Sequence, residues 1–282
     1  MKAAIIGYGF VGKALHNAIN DNVDVLLIDP KLGTSVEDAK DFFPDIIFIC
    51  VPTPMNDDGT QDLSILESVT DTIAKSKISS LVVLKSTVLP DCVTSVEKKI
   101  KSFIYNPEFL RESSADDDFI NAKLILIGGK KRLALSLSEF YKNHTKCTAE
   151  EHQFTDLISA SFVKYAINTF LATKVTFFNQ LNNIFTKSGS NNSWEEFIKI
   201  LSTDSRIGLS HMKVPGQDGK RGFGGACFPK DVNALYKFSE DLDEPFTILK
   251  HIIKINNDIR SKYKSLDDRE IEQNINFKNN QD

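Results

Sequence analysis

The sequence predicts an α/β protein in two parts. A doubly wound, mainly parallel sheet comes first, and an all-helical domain built on one long helix follows. Three observations lead there. Short apolar runs alternate with helix-patterned segments from Lys2 to Ile127. The first run is followed by a glycine-rich turn, and three later runs end in kinked or polar tips, Pro52-Thr53-Pro54, Lys85-Ser86-Thr87 and Asn106-Pro107-Glu108. From Gln153 to Lys187 there is neither proline nor glycine, and apolar residues recur there at three- and four-residue spacing.

Taken in order, Lys2 to Ile6 reads as a buried strand and is followed by Gly7-Tyr8-Gly9-Phe10-Val11-Gly12. Ala14, Leu15, Ala18 and Ile19 then give a helical pattern, and Val23 to Ile28 a second strand ending at Asp29. Strand, GxGxxG, helix, strand and acid, with Asp29 twenty residues after Gly9, is the pattern of a Rossmann-like dinucleotide site. The glycines allow a tight turn, a diphosphate sits at the helix N-terminus, and Asp29 can accept from ribose hydroxyls, which favours NAD. The nearby Lys31 leaves NADP open. Further strands are expected at Ile46 to Val51, Leu81 to Leu84, Ser102 to Tyr105 and Lys123 to Ile127. Helices are expected at Leu63 to Ala74 and Val93 to Ile100. Ligands of such sheets bind beyond the carboxyl ends of the strands, where the three tips fall. The expected domains are a dinucleotide-binding domain over 1–150, a helical domain over 151–264 and a frayed polar tail over 265–282. In the helical domain the long helix is joined by helices at Ser193 to Leu201, Pro229 to Phe238 and Thr247 to Tyr263.

The 282 residues suffice for two domains, and 41% hydrophobic and 26% charged residues with net charge −4 are ordinary for a globular protein. No basic excess points to nucleic acid or a membrane surface, no run approaches a membrane span, and AAIIG is too short for a signal-peptide core. Cys50, Cys92, Cys147 and Cys227 form no CxxC pair and no metal-type cluster, which predicts reduced thiols in the cytoplasm and no metal. The apolar face of the long helix is wide enough for a homodimer interface, and a core helix of a monomer fits it nearly as well.

The segment Gly222 to Asp231, GFGGACFPKD, carries the most chemistry. Cys227 follows a glycine pair and precedes Lys230 and Asp231, so it reads either as an activated nucleophile or as a small buried hydrophobe. Lys164 and Asn168 are one turn apart on the long helix and project together.

In order, GYGFVG, VPTP, KSTVLP, NPEFLRES, FVKYAINTFLATKVTFFNQ, DSRIG and GFGGACFPKD run from Gly7 to Asp231, within a match of roughly residues 1 to 260. Together they resemble the UDP-glucose/GDP-mannose dehydrogenase family, sugar-nucleotide 6-dehydrogenases that oxidise a primary alcohol to a carboxylate with two NAD+. The resemblance implies a place in polysaccharide biosynthesis. It also implies that Cys227 is the nucleophile, that Lys164 and Asn168 stabilise an oxyanion, that Glu108 is a general acid/base, and that Asp231 with Thr87 positions the hydrolytic water. Gly7, Tyr8, Gly9, Phe10, Val11, Gly12, Asp29, Val51, Pro52, Thr53, Ser86 and Thr87 would frame NAD, with Glu112 and Lys230 on the nicotinamide side. Glu108, Phe109, Leu110, Arg111, Lys164, Asn168, Phe223, Gly224 and Gly225 would contact the sugar nucleotide, as would Arg206 from a neighbouring subunit. The chain departs from the family in three ways. Ser161 replaces an acid three residues before Lys164, and the stretch from Asp29 to VPTP is short. The chain also runs only about fifty residues past the cysteine motif, so the family's further nucleotide-binding domain is expected to be absent, or supplied by a separate chain. Two other readings stay open: a catalytically weak NAD-binding partner, and a 3-hydroxyacid-type dehydrogenase, against which Cys227 argues.

Overall fold

A computed structural model describes residues 1–111 and 114–278. Its sheet contains β1 (Lys2–Ile6), β2 (Asp24–Ile28), β3 (Ile46–Ile49), β4 (Leu81–Leu84), β5 (Phe103–Tyr105), β6 (Ile125–Gly129) and β7 (His152–Thr155). The order is β2-β1-β3-β4-β5-β6-β7, and every pairing is parallel except β5 with β6. Strands this apolar need cover on both faces. Alternate residues supply it: Ala4, Ile6, Ile47, Ile49, Val82 and Leu84 enter one core, while Ala3, Ile5, Ile46, Phe48 and Val83 enter the other. The first core is closed by α2 (Asp38–Phe42), α3 (Ser64–Ser76) and α4 (Pro90–Lys99), the second by α1 (Phe10–Ala18), α5 (Ala115–Ile120) and α6 (Lys131–His144). The chain is therefore doubly wound, as the alternating pattern predicts.

The long helix, α7 (Leu157–Lys187), is followed by α8 (Trp194–Leu201), α9 (Phe228–Asp241), α10 (Thr247–Arg260) and α11 (Asp268–Glu272). Ser193 caps α8 in a capping box with Glu196. Phe178, Trp194, Met212 and Val214 form a small core beneath α8. Two compact units result: Met1–Thr53 with Asp62–Lys164, and Pro54–Gln61 with Tyr165 onward, so α7 contributes its first turns to one and the rest to the other.

Two expectations are corrected. The long helix begins at Leu157, because residues 152–155 extend the sheet as β7 beside β6. Residues 266–278 are not frayed: α11 has a capping box on Asp267, Glu270 is fully buried, and Ile275 and Phe277 are buried as well. The segment is polar, but the inward Glu270 carboxylate is neutralised by the buried Arg260, so it packs.

Candidate active site

The dinucleotide turn is built by backbone proximity. Gly7 has φ +92° and lies so close to β3 that an added Cβ would stand 2.7 Å from the Cys50 carbonyl oxygen. A Cβ on Gly12 would collide with the Gly7 carbonyl oxygen, which is how α1 seats tightly on β1. Gly9 differs: a Cβ there would have nothing within 4 Å. It is the N-cap of α1 and offers no side-chain cap, which leaves the helix's first amides to an outside acceptor. This open cradle fits a dinucleotide diphosphate. Asp29 directly follows β2, and its carboxylate accepts from the Tyr8 and Lys31 amides at 2.8 and 2.9 Å. Tyr8 is itself steadied through its hydroxyl, 2.9 Å from His16 Nδ1. Phe10 and Val11 open α1.

The strand tips beyond β3, β4 and β5 are tied together. Ser86 Oγ donates to the Val51 carbonyl at 2.6 Å, and Thr53 Oγ1 donates to the Thr87 carbonyl at 3.0 Å. Pro52, between them, is exposed. Under this edge lies Lys85, buried, with Nζ 3.0 Å from Asn106 Oδ1 and 3.3 Å from the Tyr141 hydroxyl. Burial pushes its pKa down and raises that of the adjacent Cys50 thiol to about 12.

Beyond β5, Lys164 meets Glu108. The ammonium, 2% exposed as a residue, donates to the Glu108 carbonyl at 2.6 Å and to Oε1 at 3.3 Å, and it lies over the Phe109 ring. Glu108 Oε2 accepts from the Leu110 amide at 2.6 Å. Ser161, one turn earlier on α7, donates to the Val88 carbonyl, so it serves packing between α7 and the β4 tip. Arg111 is exposed and forks onto Asp118, whose carboxyl it holds below the usual range. Glu112 lies outside the described residues.

In the second unit, Cys227 is the N-cap of α9, half-buried and in no disulfide, and its carbonyl accepts from the Asp231 amide. Asp231 is 0% exposed. Its two oxygens are taken by Lys230 Nζ and Asn168 Nδ2, each at 2.6 Å. A buried carboxylate with both a cation and an amide donor is compensated where a lone one would not be. Arg206 is exposed and pairs with Asp204 two residues before it. The loop before Cys227 is clasped by side chains: Asn179 accepts from Gly222, and Asn256 takes both the amide and the carbonyl of Phe223. Gly225 donates to Glu270 at 3.1 Å. A Cβ on Gly224 would collide with Arg260 and Glu270.

Sequence reasoning names Glu108, Lys164, Asn168, Lys230 and Asp231 without these contacts, which the structure supplies: Glu108 with Lys164 in one unit, and Asp231 with Lys230 and Asn168 in the other. It misses Lys85, Asn179, Asn256, Arg260 and Glu270. The signal for Lys85 was its place in the KST tip; for the others no local pattern marks the partner. Among the described residues there is no His, Cys, Asp and Glu cluster that could hold a metal.

Comparison with known proteins gives this arrangement a family. Residues 31–145 match the NAD binding domain of the UDP-glucose/GDP-mannose dehydrogenase family, and residues 158–258 match its central domain. The UDP-glucose 6-dehydrogenase YwqF of Bacillus subtilis is 37% identical over 224 residues, 76% of this chain and 48% of the relative, so the chain spans about half that relative's length. The structure of a UDP-glucose dehydrogenase from Pyrobaculum islandicum superposes with TM-score 0.78 at 27% identity, covering 90% of this chain and 67% of that one. A 3-hydroxyisobutyrate dehydrogenase from Mycobacterium tuberculosis shares the fold, with TM-score 0.73 at 15% identity over 94% of this chain and 96% of its own. Matched in both its cofactor and its central domain, the chain belongs to the UDP-glucose/GDP-mannose dehydrogenase family.

Proposed function

We propose that the chain oxidises the primary alcohol of a sugar nucleotide, UDP-glucose or a relative, to the uronate in two steps at Cys227. The observation that carries this reading is the head of α9, where Cys227 is followed within one turn by a buried Lys230–Asp231–Asn168 cluster. A one-step hydroxyacid dehydrogenase of the same fold has no need of a cysteine there. The oxidising power comes from NAD+ at the Gly7 to Gly12 turn, with Asp29, Val51, Pro52, Thr53, Ser86 and Thr87 framing it, and amounts to one hydride per oxidation.

In the first oxidation the alcohol loses its hydroxyl proton to a base, for which Glu108 is the candidate, and becomes an aldehyde. The Cys227 thiolate then adds to the carbonyl carbon. A sulfur–carbon bond forms, a proton goes to the oxygen, and the product is a thiohemiacetal. The second oxidation removes the hydroxyl proton and leaves a thioester. Water, positioned by Asp231 and Thr87, attacks the acyl carbon; the sulfur–carbon bond breaks and the thiol regains its proton. Lys164 and Asn168 stabilise the oxyanion at each stage. Capture on sulfur keeps the reactive aldehyde bound between oxidations. Phe109, Leu110, Arg111 and the Phe223 to Gly225 loop contact the sugar nucleotide in this reading, with Lys230 toward the nicotinamide.

A homodimer belongs to the same proposal. Phe170, Phe177 and Ile184 recur every seven residues along α7 and are 67, 58 and 67% exposed, a stripe that Arg206 of a second copy could accompany. A cytoplasmic setting accords with four cysteines in no disulfide, and among the described residues no helix is long and apolar enough to cross a membrane.

The test is NADH formation from NAD+ with UDP-glucose, GDP-mannose and UDP-N-acetylhexosamines in turn. Oxidation of one of them supports the reading. Silence with all of them, together with intact NAD binding, supports a non-catalytic NAD-binding protein, and turnover of 3-hydroxyacids instead supports a one-step dehydrogenase.

A further inference from the structure

The loop that delivers Cys227 is held from one side by groups far along the chain. Glu270, on α11, is 0% exposed and pairs at 2.6 Å with Nη2 of the buried Arg260. The same carboxylate oxygen, Oε1, accepts the Gly225 amide at 3.1 Å, two residues before Cys227. Arg260 is itself oriented by Asp218, which accepts from Nη1 at 2.6 Å, and by the Phe277 ring 5.2 Å from the guanidinium. No side chain fits at Gly224, whose Cβ would strike both members of the pair. A carboxylate in this place costs desolvation energy, and a structural tail could be seated by apolar residues alone. What Glu270 adds is a directed bond to the backbone at the foot of the nucleophile loop. The tail is also fixed by the bond from the Met55 amide to the Gln273 carbonyl and by the Ile275 amide to the Glu270 carbonyl.

We propose that Glu270, oriented by Arg260, is a positioning residue for Cys227: it sets the Gly225 end of the loop and thereby the place of the thiol at the head of α9. The inference rests on Cys227 being the reacting group of the proposed function, but its primary test does not need turnover.

The experiment measures the rate at which iodoacetamide alkylates Cys227 in the full chain, resolved by peptide mass spectrometry, with Cys92 and Cys147 as internal references. In Glu270→Ala the loop loses its anchor, and Cys227 alkylation is expected to rise about tenfold, as fits loss of a hydrogen bond to a charged group. The reference cysteines should keep their rates. Glu270→Gln, which retains an oxygen for the Gly225 amide, should restore most of the wild-type rate. Because Glu270→Ala leaves a buried guanidinium short of a partner and risks unfolding, Arg260→Met/Glu270→Met removes both charges together. That variant should melt near wild type and still alkylate Cys227 fast. Where the chain turns over sugar nucleotide, kcat should fall in both anchor-less variants with KM for NAD+ unchanged. A folded double variant with wild-type Cys227 alkylation and wild-type kcat would overturn the proposal and leave the pair a structural staple. If the wild-type chain forms no NADH, the proposed function fails, and the alkylation comparison still decides this one.

Discussion

Gly9→Ala and Gly12→Ala should separate cofactor binding from folding within one turn. At Gly12 the added methyl strikes the Gly7 carbonyl oxygen and comes 3.3 Å from Ile5 Cγ2, so α1 must lift from β1. Overpacking of this kind costs about 1–3 kcal/mol. At about 2–4 °C per kcal/mol for a chain of this size class, the melting temperature should drop by roughly 2–12 °C. At Gly9 the methyl meets nothing within 4 Å and the backbone has φ −85°, so stability should stay within about 0.5 kcal/mol of wild type. The same methyl, however, stands in the cradle where a diphosphate approaches the α1 amides. Loss of two charge-assisted hydrogen bonds there, about 1.5 kcal/mol or more each, weakens NAD+ binding at least about 100-fold. The assay is thermal unfolding with and without NAD+ at about one hundred times the wild-type Kd. Wild type should gain about 2.7 kcal/mol and Gly9→Ala about 0.4 kcal/mol. A Gly9→Ala protein stabilised by NAD+ as fully as wild type would refute the assignment of the cradle.

Lys164→Ala should lower kcat by about 10²-fold or more and, because it strands the buried Glu108 carboxylate, destabilise the chain by about 3–5 kcal/mol. Lys164→Met/Glu108→Gln should recover the melt but not the rate; recovered rate would exclude the pair from catalysis. The buried His152 has its pKa pushed below 6.5, first by burial and then by Lys142, so it stays neutral in the fold while the unfolded chain takes a proton. Stability is then fully present above about pH 6.5 and falls by at most about 1.4 kcal/mol per pH unit below it, until the folded-state pKa is reached. Urea melts of wild type and His152→Gln at about pH 7.5 and about pH 5.5 should show that slope only in wild type. Phe170→Glu/Phe177→Glu should convert a dimer to monomer in sedimentation; an unchanged sedimentation coefficient would remove α7 as the interface.

The first sheet strands were legible because each is an unbroken apolar run with a punctuating tip, and Leu81–Leu84 falls where the sequence puts it. β7 was not, since His152–Thr155 is short and half polar, and the helical periodicity that follows runs over it. α2, at five residues, has too few turns to show a period, and α6 opens within a charged run, Lys130-Lys131-Arg132, that reads equally as a loop end. At the site, partners within one motif could be read, as with Lys230 and Asp231. Pairings set by tertiary packing could not. Nothing near Glu270 in sequence announces that it is buried against Arg260 and Gly225, and the polar composition of the tail argues the opposite. Lys85 was visible only as part of a strand tip, while its burial against Asn106 and Tyr141 depends on β5 and α6.

The measurement that bears most directly on the two-step account is the yield of NADH per molecule of limiting sugar nucleotide for wild type and Cys227→Ser, with the sugar product identified by mass spectrometry. The account predicts two NADH and the uronate from wild type, and from the serine variant fewer than two NADH with no uronate and NAD+ binding intact. A serine variant that reaches two NADH and the uronate at the wild-type rate would contradict it.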